Sequence, residues 1–73
     1  MTNTSALMQR INDKGLKLSY VAEYIGLSRQ GFTNKVRNVH PFNTDEVDKL
    51  CGLLGIKSAA DIKRIFFAQK VDE

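Results

Sequence analysis

The sequence predicts an all-α domain with five helices. No stretch of the chain alternates apolar and polar residues with the β-branched enrichment of a strand, whereas apolar residues recur at spacings of three and four along most of it. Glycine follows several of these periodic segments and Ser, Thr or Asn precedes them, which is the punctuation of helix ends. Length sets the scale: 73 residues and 8.2 kDa hold one hydrophobic core, so a single domain over 1–73 is expected, its core over about 5–67.

Leu7, Met8 and Ile11 form the inner stripe of a first helix over about 5–14, with Thr4 as its expected cap and Gly15 as a left-handed terminator. A second helix, about 18–25, buries Val21, Ala22 and Ile25 and stops at Gly26. Tyr20 and Tyr24, one turn apart and away from that stripe, are expected to cover the hydrophobic edge beside the first helix. Ser28 is placed to cap a third helix, about 29–37, with Phe32 and Val36 inward and Arg29, Gln30, Thr33, Asn34 and Arg37 left outside.

Pro41 disfavours helix at His40 and cannot donate into one, so residues 38–43 read as a loop. Asn43 and Glu46 have the spacing of a capping box, and Asp45 and Glu46 suit the positive end of a helix dipole. The fourth helix then runs to about Leu54, buries Val47, Leu50, Cys51 and Leu54, and ends at Gly55. Ser58 with Asp61 repeats the capping-box spacing for a fifth helix to about Gln69, with Ile62, Ile65 and Phe66 inward and Phe67 pointing elsewhere. The final KVDE is expected to fray.

Composition narrows the function classes. With 42% apolar and 26% charged residues the chain is an ordinary globule and not a disordered or fibrous one. One cysteine excludes an internal disulfide framework, and no Cys/His cluster offers a structural metal site, so a small reduced cytoplasmic protein without metal or cofactor is expected. The opening MTNTSALMQR lacks a basic head followed by an apolar stretch, and no apolar run approaches the ~20 residues of a membrane span, so neither export nor membrane insertion is expected.

The net charge of +3 is unevenly placed. Residues 1–23 carry Arg10, Lys14 and Lys17 against Asp13 and Glu23, and residues 45–73 carry five bases against six acids. Residues 24–44 hold Arg29, Lys35, Arg37 and His40 with no carboxylate, which makes that segment the expected landing place for a polyanion.

The same segment contains two short helical patterns joined at Gly26, with the small Ala22 four residues before the glycine and Val21, Ile25, Leu27 and Phe32 as the wedge between them. This run, VAEYIGLSRQGF, resembles the helix-turn-helix of the Cro/repressor-like (lambda-repressor-like) family, and the likeness extends over about 5–56, where LCGLLGI matches the family's fourth helix and following turn. The wording GLKLSYVAEYIGLSRQGFTNKV is most similar to compact phage-type or mobile-element regulators. Lys35 departs from the pattern: that position is commonly apolar in the family, and Val36 takes over its packing here. The resemblance implies a five-helix DNA-binding domain in which Gln30 and Asn34 read bases.

A third helix lying in the major groove meets base edges first with its N-terminal residues. Arg29 suits guanine, Gln30 and Asn34 suit adenine, and Thr33 suits a thymine methyl or a phosphate. Lys17, Ser28, Lys35, Arg37, Asn38 and His40 are the candidates for holding phosphate on either side. Gly31 weakens the helix by about 1 kcal/mol relative to alanine, so its expected purpose is close packing or close approach of the backbone to DNA.

Catalysis has little support. There is one His and one Cys, the latter on a buried stripe, and GLSRQG lacks both the strand and the lysine of a phosphate loop. Phe67 beside the inward Phe66 reads either as a wrap onto the domain or as a dimer contact. The expected function is therefore a sequence-specific double-stranded DNA-binding regulator, a repressor occupying a palindromic operator as a homodimer. A protein-interaction adaptor or antitoxin-like module on the same fold, binding through Phe67 and the tyrosines, is the alternative.

Overall fold

The computed structural model describes residues 1–69, to which the expectation for KVDE does not extend. Among the described residues are five α-helices and no strand: α1 Thr4–Asp13, α2 Leu18–Tyr24, α3 Arg29–Val36, α4 Thr44–Leu54 and α5 Ala59–Phe66.

Four of the helices start on a side chain that accepts a backbone N–H of the first turn: Asn3 from Ala6, Ser28 from Gly31, Asn43 from Glu46 and Ser58 from Asp61. The cap of α1 is thus Asn3 and not Thr4, whose hydroxyl instead donates to the Val36 carbonyl at 2.6 Å and ties the start of α1 to the end of α3. The capping box at Asn43 and Glu46 is complete, with the Asn43 N–H donating back to Glu46 Oε1 at 3.0 Å. At Ser58 only half of one forms, because the Asp61 carboxylate turns to Arg10 at 2.9 Å on α1 and to Arg64 at 3.5 Å. Helix α5 stops at Phe66, three residues short of the Gln69 expected from periodicity.

Helix ends repeat one device. The residue after each left-handed terminator donates to the carbonyl five positions back: Leu16 to Ile11 at 3.2 Å, Leu27 to Ala22 at 2.9 Å and Ile56 to Cys51 at 2.9 Å. Gly26 stands at φ +84°, and this conformation lets the chain reverse between α2 and α3 within a few residues. At the end of α3 the device reappears without glycine, as Val39 donates to Asn34 at 2.8 Å around Asn38 at φ +67°.

The core takes residues from every helix: Leu7 and Ile11, Val21 and Ala22, Phe32 and Val36, Leu50 and Leu54, Ile65 and Phe66, with Ile25 and Ile56 from the turns. Met8, Val47, Cys51 and Ile62, all expected inside, are only half-buried at its margin. Phe42 in the loop before α4 joins α3 to α5, its ring centroid 6.0 Å from those of both Phe32 and Phe66. The first residues stitch the far side closed. Asn3 donates to the Ile65 carbonyl at 2.7 Å, and Ala68 donates to the Met1 carbonyl at 2.9 Å.

Candidate nucleic-acid interface

Helix α3 faces the core with a narrow stripe, and its C-terminal end is also tied to the start of the chain through Thr4 and Asn38. Phe32 and Val36, one turn apart, are buried, and Ala22 of α2 is small enough for the two helices to cross closely. At about 100° per residue the side opposite that stripe carries Gln30 and Asn34. Arg29 and Gln30 are exposed, while Thr33 and Asn34 are half-buried on the same helix. Gln30 Nε2 donates to Asn34 Oδ1 at 3.0 Å, so the two amides form one unit. That bond leaves Gln30 Oε1, the second Nε2–H and the Asn34 amino group to meet a ligand.

Ser28 is the cap of α3, its Oγ accepting from Gly31 N–H at 3.0 Å. A methyl group at position 31 would stand 3.1 Å from that oxygen and meet no neighbouring helix, but Asp61 occupies the matching position after the Ser58 cap of α5, so the cap alone does not demand glycine. Lys17, at the start of α2, makes no side-chain cap bond and is exposed. Arg37 is exposed at the other end of α3. Among the described residues neither of these cations, nor Arg29, takes part in an ion pair.

Two residues assigned to phosphate are engaged elsewhere. Lys35 does not project outward: its ammonium donates to both oxygens of Glu46, at 2.6 and 2.9 Å, and its side chain is only 19% exposed. The physical reason lies on α4, where a buried carboxylate needs a cation. Burial pushes the Glu46 pKa up, but the Lys35 hydrogen bond, the Asn43 N–H and the charges of Lys35 and Lys49 outweigh it, so the carboxyl titrates below its ordinary value. Asn38, although exposed, spends its amide on Thr2, accepting from the Thr2 N–H at 2.8 Å and donating to the Thr2 carbonyl at 2.9 Å. An Asn directly after a helix is a known left-handed terminator, and that is the role the backbone gives it here.

His40 is exposed and borders a cavity of about 270 Å³ together with Met1, Pro41, Phe42, Phe66 and Phe67. The structure thus groups it with the end of α5 and not with the amides of α3. Phe67 is 59% exposed beside that cavity and does not wrap onto the domain. Tyr20 and Tyr24 are about half exposed and pack on each other, ring centroids 6.3 Å apart, and Tyr24 borders a groove with Lys49 and Cys51 of α4.

Cys51 is half-buried, and burial followed by the nearby Asp48 pushes its thiol pKa up. No three His, Cys, Asp or Glu side chains stand together as a metal site among the described residues. None of the helices described is long and apolar enough to cross a membrane. Comparison with family profiles, with characterised proteins and with solved structures finds no match to this chain.

Proposed function

We propose that the chain is a sequence-specific double-stranded DNA-binding regulator of the Cro/repressor-like type, in which α2 and α3 are the helix-turn-helix and α3 enters the major groove. The observation that carries this reading is the joined Gln30–Asn34 amide pair on the side of α3 opposite its buried stripe, with no acidic side chain on that helix. A glutamine amide presents one acceptor and one donor side by side, which matches the N6 donor and N7 acceptor of adenine, and the Asn34 bond holds it at a fixed twist. Arg29 is the guanine reader beside it, and Thr33 contributes a methyl group or a hydroxyl.

Lys17 and Arg37 hold phosphate at the two ends of the unit, with the Ser28 hydroxyl and His40 as further contacts. Lys35 and Asn38 are not among these contacts, since Lys35 is paired with Glu46 and the exposed Asn38 spends its amide on Thr2. The regulator acts in the cytoplasm by occupying an operator, and two copies bind half-sites about one helical turn apart. Exposed Phe67 is the contact between copies.

Selection of bound sites from random duplex DNA tests the reading, followed by a binding series at rising salt. Gln30→Ala or Asn34→Ala is expected to lose about 1–3 kcal/mol on the selected site and to relax preference at one base pair. Unchanged base preference in both variants would refute the assignment. The three exposed aromatics, Tyr20, Tyr24 and Phe67, favour a second reading as a protein-binding adaptor. Undetectable binding to any duplex at low salt would select it.

A further inference from the structure

Two buried residues a turn apart touch the core along a line, and a line of contact resists translation of a short helix better than it resists rolling. For α3 that line is Phe32 and Val36, and the Thr4 hydroxyl on the Val36 carbonyl adds a hold at the last residue of the same line. At about 100° per residue Thr33 and Lys35 fall on opposite flanks of it, at the positions that decide the roll. On the Lys35 flank the chain places a bond whose two ends are both fixed. The ammonium meets both Glu46 oxygens at 2.6 and 2.9 Å, and Glu46 is held in turn by the Asn43 N–H at 3.0 Å in the first turn of α4. That turn is carried by the fully buried Leu50. The Glu46 residue is 7% exposed, which shields the pair from competing water.

We propose that the Lys35–Glu46 pair fixes the roll of α3 about its own axis, which makes Glu46, a residue of α4, a positioning residue for base recognition by Gln30 and Asn34. The inference rests on the DNA-binding reading above for its consequence, and on the geometry alone for its cause. A roll of about 20° carries side chains about 5–6 Å from the axis through about 2 Å. Base recognition tolerates misplacement of only about 0.5 Å, so a small roll exchanges a made contact for a missed one. The pair also explains how a lysine occupies a flank of the core-facing side: its stem packs there while its charge is answered within the protein.

The test compares the wild type with Glu46→Gln, which keeps an oxygen for the Asn43 N–H but removes the charge. A second variant, Lys35→Met with Glu46→Leu, replaces the pair by apolar groups and is tolerated in stability where the single change is not. In both, discrimination between the selected site and its single-base-pair variants is expected to fall about fivefold or more. Binding to unrelated duplex at low salt is expected to stay within about twofold, because the phosphate contacts are elsewhere.

Residual dipolar couplings measured without DNA are expected to show α3 rotated relative to α4 in both variants. Unchanged couplings overturn the proposal, as does an equal loss on selected and unrelated duplex, which marks a merely structural role. A wild type with no base preference defeats the DNA-binding reading instead, and the couplings then decide on the lock alone.

Discussion

Asn38 shows how much one side chain can settle. Among the described residues it is the one non-glycine with positive φ, at +67°, where an L side chain costs roughly 1–2 kcal/mol. Its amide spans the N–H and carbonyl of Thr2, so the same residue terminates α3 and fastens the start of the chain beside it. Glycine at 38 relieves the backbone and loses the clamp, while alanine keeps the strain and loses the clamp as well. Asn38→Ala is therefore expected to be less stable than Asn38→Gly by about 1 kcal/mol. Urea unfolding of the two proteins checks the order, and the reverse order removes the left-handed cap from the account.

Among the elements, α3 and α4 are joined by a charge pair and α1 and α5 by another, and the two differ in kind. Arg10 and Asp61 are partly exposed, so water weakens their attraction and the contact orients more than it stabilises. Lys35 and Glu46 are largely shielded. Because the folded-state pKa of Glu46 is depressed, its contribution is present above the unfolded value of about 4.3 and is lost as pH falls through the folded pKa. Asp61, lowered chiefly by its Arg10 hydrogen bond, acts in the same direction. Stability of the wild type is thus expected to fall between about pH 4.3 and the folded pKa values, and Glu46→Gln to show a shallower acid limb. Thermal midpoints taken from pH 6 downwards measure this; parallel curves for the two proteins would mean that Glu46 titrates as in the unfolded chain.

For the whole molecule, charge placement in space departs from charge placement along the chain. The acid-free run 24–44 counts three strong cations in sequence, yet Glu46 answers Lys35, which leaves Arg29 and Arg37 with Lys17 as the exposed cations of the α2–α3 unit. If the proposed DNA-binding function holds, replacing Lys17 or Arg37 by alanine is expected to weaken binding to every duplex alike and to reduce the salt slope by about 1 each. Lys35→Met is expected to leave that slope unchanged. Fluorescence titration at several salt concentrations separates the two groups, and a flattened slope in Lys35→Met would return that lysine to the phosphate surface.

The chain's local chemistry by itself determined the five helices, the caps at Ser28, Asn43 and Ser58, the left-handed turn at Gly26 and the inward faces of α2 and α3. Each depends on neighbours within about one turn, where spacing alone says which groups meet. The outward placement of Gln30 and Asn34 was legible for the same reason, since it follows from which residues of α3 are apolar. Only the tertiary structure decided the partners of Lys35, Asn38, Thr4 and Asp61, which stand 11, 36, 32 and 51 residues away. A polar side chain has several partners of equal chemistry along the chain, and which one it takes is settled by which helices the core has already brought within reach.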